Sequence, residues 1–379
     1  MSLILDEHRE YLSDVPRLTA FQQAIEAVVR PGDVVVDLGA GTGVLGLMAC
    51  RAGASRVYAL EATSMIGVAR EIARANNVLD RITFVKEWSQ HVELPEAADV
   101  VVADQIGRFG FEAGVFDYFA DARKRLLKPD GVTIPSRIEF IAAPVESEEM
   151  WSHVAFWDTT PLDVKLGPGR TIARNTGYPV TYAPDALLSD AIVLASLDPS
   201  EDNGSPIRVR ATATVGRTGV LHGVGGWFTA QLSPSVSMTN SPLAANRINR
   251  RNVFFPVDQP VPVEPGDNVE IAMLIAPAEV MVGWDVSVVA PDGTPKASSR
   301  HSTFTGMLIS GEDLVRTRPD FAPTLTPRGK ARLTVLSLCE EGRRLGDVEE
   351  ELYRRHSGLF RTPQEAALFA AEVVTRYAT

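Results

Sequence analysis

Residues 34–43 read VVVDLGAGTG. Three consecutive valines with no polar residue among them predict a short strand buried on both faces of a parallel sheet. Asp37 stands near the end of that strand. Gly39, Gly41 and Gly43 then let the backbone turn sharply and approach a ligand closely. A helix begins at Val44, and its free N–H groups and positive end face whatever lies on the loop. The spacing is G-x-G-x-G rather than G-x-G-x-x-G, which points away from a dinucleotide.

Outward from this loop, strands alternate with helices. Leu18, Phe21, Ile25, Val28 and Val29 fall at helical spacing within 17–29, ahead of a Pro31-Gly32-Asp33 turn. Strands are expected at 57–60, 82–85 and 99–103, and helices at 44–51, 64–76 and 114–127. This alternation predicts right-handed βαβ units and a doubly wound α/β sheet. After Pro135 the texture changes. Stretches such as RVRATATVGRTG and VEIAMLIAPAEVMVGWDVSVVAP alternate and are broken by Gly, Pro, Asn and Asp, which predicts an antiparallel sandwich or barrel. The three prolines of RTRPDFAPTLTPRG mark a linker. Three helical patterns follow, the last opening at Thr362-Pro363. The expected domains are therefore 1–137, a Rossmann-like domain; 138–315, a β-barrel; 316–329, a linker; and 330–379, a helical domain.

The chain has 379 residues, 45% hydrophobic and 22% charged, which excludes a disordered, collagen-like or coiled-coil protein. No apolar run reaches the ~18–20 residues of a membrane helix. The net charge is 37 − 48 = −11. An acidic chain is a poor general partner for nucleic acid, whose binding rests on neutralising phosphates, but it leaves a cationic substrate open. Cys50 and Cys339 alone fit a reducing compartment, and the acidic start MSLILDEHRE is no signal peptide, so a cytoplasmic protein is expected. The six histidines are scattered without metal-ligand spacing, so no metal is expected; His8, near the N-terminus, is the one placed to reach a pocket.

Glu61 closes the second strand, where a carboxylate can accept hydrogen bonds from both hydroxyls of a ribose. Taken together, DLGAGTG, AGASRVYALEAT, DVVVADQIG and RLLKPDGVTIPSR resemble the successive motifs of class I S-adenosylmethionine (SAM) methyltransferases, and more narrowly those of the protein arginine methyltransferases. The resemblance implies S-adenosyl-L-methionine as cofactor. It places Asp37, Gly39, Gly41 and Gly43 around the methionine part, Glu61 at the ribose, and Ser89 and Gln90 at the adenine. HREYLSDVPRLTAF resembles the family's lid helix, with Arg17 meeting the cofactor carboxylate. A β-barrel is implied from about Pro135 onward.

The chain departs from this pattern at the acceptor site. The family holds a guanidinium between two glutamates on one loop. Here the loop is ADQIGRFGFEAG, with Asp104 at the first position, Glu112 one residue early for the second, Gln105 in place of an aromatic residue, and Arg108 between. Ile248 and Asn249 replace the family's His-Trp pair, and Arg247, Arg250 and Arg251 crowd the same place. These arginines are expected to meet a carboxylate, phosphate or acidic peptide, and Asp104 or Glu112 to accept the proton of an amine nucleophile. The expected activity is methyl transfer to a nitrogen, and in second place a carboxylate, of a peptide or small natural product. The alternatives are a divergent protein arginine methyltransferase and a non-enzymatic SAM-binding scaffold. The helices of 330–379 resemble those of the winged-helix domain that binds leader peptides in ribosomal-peptide maturation. Peptide binding, packing on the barrel and a homodimer all remain open for them.

Overall fold

The computed structural model describes residues 4–308 and 311–378. The chain divides into two compact units, Met1–Met307 and Leu308–Thr379. The first opens with two helices, α1 (Ile4–Ser13) and α2 (Val15–Val28). Asp14 separates them: its side chain accepts from the Arg17 N–H and caps α2, with Pro16 in the first turn.

Five parallel strands follow: β1 (Val34–Leu38), β2 (Arg56–Leu60), β3 (Ile82–Val85), β4 (Ala98–Val102) and β5 (Leu127–Ile134). They lie in the order β3-β2-β1-β4-β5, connected through α3 (Val44–Ala52), α4 (Met65–Ala75) and α5 (Val115–Arg125). Every residue of β1 is buried; each large apolar side chain taken from water contributes about 1.5–3 kcal/mol. The order reverses between β1 and β4, and in such sheets the crevice at the carboxyl ends beside that switch receives the ligand. The sequence pattern did not reveal β5. Its middle is polar and holds Pro129 and Gly131, residues that an edge strand tolerates because one side needs no partner.

The rest of this unit is antiparallel. β6 (Arg137–Val145), β7 (Tyr178–Val180), β8 (Ile192–Leu197), β10 (Gly219–Ser233) and β12 (Asn252–Val263) form a sheet in the order β7-β12-β10-β6-β8, with β11 (Val236–Thr239) paired to β10. A second sheet orders β15 (Pro295–Ser302), β14 (Met281–Val289), β13 (Asn268–Ala276) and β9 (Ile207–Thr214). In β14, Val282, Trp284, Val286 and Val288 are buried and alternate with less buried residues, the period-2 pattern of a strand with one face in a core. The β texture of 138–315 is interrupted by α6 (Glu148–Ala155), capped by Ser147, and α7 (Arg170–Arg174).

The second unit contains α8 (Gly311–Arg316), α9 (Pro327–Glu340), α10 (Leu345–Arg355) and α11 (Pro363–Tyr377). Val335, Leu338, Val348, Leu352, Phe369 and Val373 form its own core. Thr362 caps α11 by accepting from the Glu365 N–H at 3.2 Å. The boundary between units falls ahead of the stretch expected as a linker, and α9 begins inside that stretch. Among the described residues the unit holds no strand, so the likeness to a winged helix stops at its helices.

Candidate active site

A cavity of about 1030 Å³ opens at the carboxyl ends of β1, β2 and β4. Its walls come from α1, the loop after β1, Glu61, the loop 104–113 and residues 249–251. Gly39, Gly41 and Gly43 have φ of 69°, 55° and 73°, the left-handed region that costs glycine little. The N–H groups of Gly39 and Ala40 both donate to the Leu60 carbonyl, which fixes the loop to β2. A Cβ on Gly41 would lie 2.7 Å from Cε1 of His8, and one on Gly39 would collide with the Gln105 amide. α1 and the loop after β4 therefore both close on the glycines. Gly43 instead starts α3 and faces Ala69, away from the cavity.

Glu61 accepts from the Gly41 N–H at 2.9 Å and the Thr63 N–H at 2.7 Å, one on each oxygen. Each oxygen keeps a further lone pair, so the carboxylate can still receive two hydroxyls. Asp37 lies behind the loop. Its Oδ2 accepts from the Gly46 N–H at 2.8 Å, while Oδ1 has no partner among the described residues. Burial pushes its pKa up to about 7 against the pull of the Gly46 amide, with Glu61 adding to the rise. Ser89 is buried and Gln90 exposed, and neither lines the cavity.

The charged centre of the cavity is Asp104, just past the end of β4. Arg17 Nε donates to its Oδ2, while Arg250 binds both oxygens, Nη1 to Oδ1 at 3.2 Å and Nη2 to Oδ2 at 2.9 Å. The three side chains are 8%, 7% and 12% exposed in the order Arg17, Asp104, Arg250. Arg250 also donates to the Gly107 carbonyl and lies 5.9 Å from the ring centres of Tyr11 and Phe228. Tyr11 lies 5.5 Å from the Arg17 guanidinium as well, and its carbonyl accepts from Arg17 Nη1. Burial works to raise the Asp104 pKa, but Arg250 and Arg17 outweigh it and hold the carboxyl below its ordinary value.

This geometry revises several expectations. Asp104 is expected to accept a proton, yet a carboxylate clasped by two guanidinium groups keeps its charge and is a weak base. Glu112 is expected to face an acceptor. Its oxygens instead take the N–H groups of Arg108 and Phe109 at 3.0 Å, so it ties the loop to itself. Arg17 lines the cavity, but its Nε is spent on Asp104; Nη2 has no partner among the described residues. Arg247 turns away and donates to the Tyr182 carbonyl at 3.0 Å.

Arg108 and Arg251 are exposed on the cavity wall, and their guanidinium groups have no partner among the described residues. Asn240, buried behind them, donates to both of their carbonyls, at 2.8 and 3.0 Å, and so joins the loop after β4 to the start of β12. Tyr11, Asn240 and Asp14, whose Oδ2 accepts from the Asn249 N–H at 2.8 Å, are the site residues that sequence reading missed. Only Asp14 carried a local signal, as the polar residue before Val-Pro at a helix start.

Residues 20–142 match the family described as ribosomal protein L11 methyltransferase (PrmA). The chain is 28% identical over 342 residues to protein arginine N-methyltransferase PRMT10 of Arabidopsis thaliana, covering 79% of this chain and 89% of the relative. It is 28% identical over 277 residues to arginine N(omega)-methyltransferase of Streptomyces achromogenes subsp. streptozoticus, covering 70% and 75%. Its fold is that of the solved Trypanosoma brucei PRMT1 enzyme-prozyme complex with AdoHcy, with a TM-score of 0.71 at 18% identity over 78% of this chain and 97% of that one. Fold and comparisons together define a class I SAM-dependent methyltransferase. Within that class the chain resembles the protein arginine methyltransferases, and its cofactor is S-adenosyl-L-methionine.

Proposed function

We propose that this methyltransferase acts on a nitrogen of a peptide or small natural product that carries an anionic group beside the acceptor nitrogen. The observation that supports it most is the state of Asp104: the carboxylate where a guanidinium acceptor would bind already holds two guanidinium groups of the chain. Arg108 and Arg251, by contrast, have no side-chain partner among the described residues, line the same cavity wall and suit a carboxylate or phosphate.

In this reading Glu61 takes the ribose hydroxyls, and Gly39 and Gly41 bring the backbone close to the methionine part, backed by Asp37 and Gly43. Arg17 offers Nη2 to the cofactor carboxylate. When bound, the cofactor would supply an electrophilic sulfonium methyl group, which the acceptor's nitrogen lone pair would take while the S–C electron pair stays with sulfur. The chain's part is alignment, which can supply much of the rate of such a displacement. Asp104 and Glu112 are already engaged, so the acceptor enters as a neutral nitrogen and the proton it sheds leaves to water. A cytoplasmic location and peptide recognition by 330–379 belong to the same proposal.

A second reading, methylation of an arginine guanidine, is favoured by the names of the relatives. Mass spectrometry after incubation with SAM separates the two. The substrates are an amine-bearing peptide with free carboxylates, the same peptide amidated, and an arginine peptide without carboxylates. The first should gain a methyl group on nitrogen and the second much less. Preferred methylation of the third would overturn the anionic-acceptor reading.

A further inference from the structure

Arg250 reaches Asp104 across 146 residues of chain and meets it end-on, one terminal nitrogen on each oxygen. That is the geometry in which a carboxylate recognises a guanidinium from outside. The arginine is held there by more than the carboxylate. It donates to the Gly107 carbonyl, and the rings of Tyr11 and Phe228 flank it, so aromatic faces and an acceptor surround the cation. With Arg17 also on Oδ2, three of the roughly four lone-pair positions of the carboxylate are filled.

Among the described residues, the other acids lining the cavity are Glu61, whose remaining lone pairs are those assigned to the ribose, Glu112, bound to backbone N–H groups, and Glu7 and Glu10, exposed on α1. One carboxylate between two guanidinium groups leaves a net positive charge in a poorly hydrated place. A third guanidinium entering there meets repulsion that little solvent screens.

We infer that Arg250 is a specificity-determining residue: its guanidinium occupies the cation site at Asp104 from within and bars guanidinium acceptors. The inference deepens the anionic-acceptor reading and rests on it. Removing the charge while keeping a polar side chain, Arg250→Gln, opens the site, because Asp104 then retains only Arg17. Arg250→Lys keeps the charge and should leave it closed.

The test is calorimetric titration of N-acetyl-arginine amide, whose only charge is its guanidinium, into the wild-type, Arg250→Gln and Arg250→Lys proteins without added cofactor. Circular dichroism melts show that each is folded. Arg250→Gln should bind the probe at least about tenfold more tightly than wild type, the scale of one charge-assisted pair, while Arg250→Lys should not. With SAM added, Arg250→Gln should also transfer methyl to the probe. Equal affinity in wild type and Arg250→Gln overturns the inference, as does an equal gain in Arg250→Lys. If wild type is inert toward arginine and Arg250→Gln gains nothing, the inference fails and the anionic-acceptor reading stands. If wild type methylates arginine and Arg250→Gln abolishes it, both fail.

Discussion

Asp104→Asn tests the buried charge cluster directly. The side chain changes little in shape but loses its charge, leaving Arg17 and Arg250, 8% and 12% exposed, without a counter-ion. The amide oxygen can accept one of the lost bonds, while the amide N–H₂ points a donor at a guanidinium. At the 2.9 Å Arg250 contact the gross attraction is about 6 kcal/mol with an effective dielectric of 20, much of it offset by desolvation. Removing one partner of such a buried pair typically costs about 3–5 kcal/mol, because the remaining charge is stranded. In a domain of this size each kcal/mol moves Tm by roughly 2–4 °C, so the first transition should fall by about 10 °C in calorimetry at pH 7. The pKa of Asp104 is lowered in the folded chain. The stabilisation should therefore persist above the unfolded value of 3.8 and vanish only as pH falls through the lower folded value. The wild-type and Asp104→Asn difference should be flat from pH 8 to 5 and shrink in acid. Adding Arg250→Gln to Asp104→Asn should cost less than the sum of the single changes, by about 0.5–3 kcal/mol. A fall of Tm under about 2 °C, or strict additivity, would refute the cluster as an energetic unit.

Glu61→Ala should weaken SAM binding tenfold or more in calorimetry, since hydrogen bonds to a charged acceptor are worth about 1.5–3 kcal/mol each; unchanged affinity would exclude the ribose role. Asp37 holds its proton up to about pH 7 when folded against 3.8 unfolded, so its contribution to stability is greatest in acid and is lost as pH rises from about 4 to 7. Asp37→Asn should remove that slope, a relative gain of up to about 4 kcal/mol at pH 8, and parallel denaturation curves at pH 5 and 8 would contradict the assignment. Deleting residues 308–379 should leave Met1–Met307 folded with SAM affinity intact, while KM rises for a long precursor peptide and not for a short acceptor, through loss of effective concentration. Equal KM values for both substrates would rule out peptide docking by the helices.

The α/β fold was legible in VVVDLGAGTG because its signals are local: consecutive valines need burial on two faces, and three glycines need left-handed backbone. Glu61 could be placed for a similar reason, as an acid at the end of an apolar strand beside that loop. β5 escaped notice because LKPDGVTI at a sheet edge carries no apolar period. Ser89 and Gln90 could be named by likeness, but the tertiary structure alone put both outside the cavity wall. The largest gap was the acceptor site. Sequence alone showed that Asp104, Arg108, Arg250 and Arg251 depart from the pattern of the arginine methyltransferases. It did not show that Arg17 and Arg250, 87 and 146 residues away, would converge on Asp104 and leave Arg108 and Arg251 without a side-chain partner among the described residues. A charge carries no mark of its partner in the chain; the pairing is set by how the α1–α2 segment, the loop after β4 and the start of β12 are brought together, and Asp14 and Asn240 do that through hydrogen-bonded contacts between distant segments.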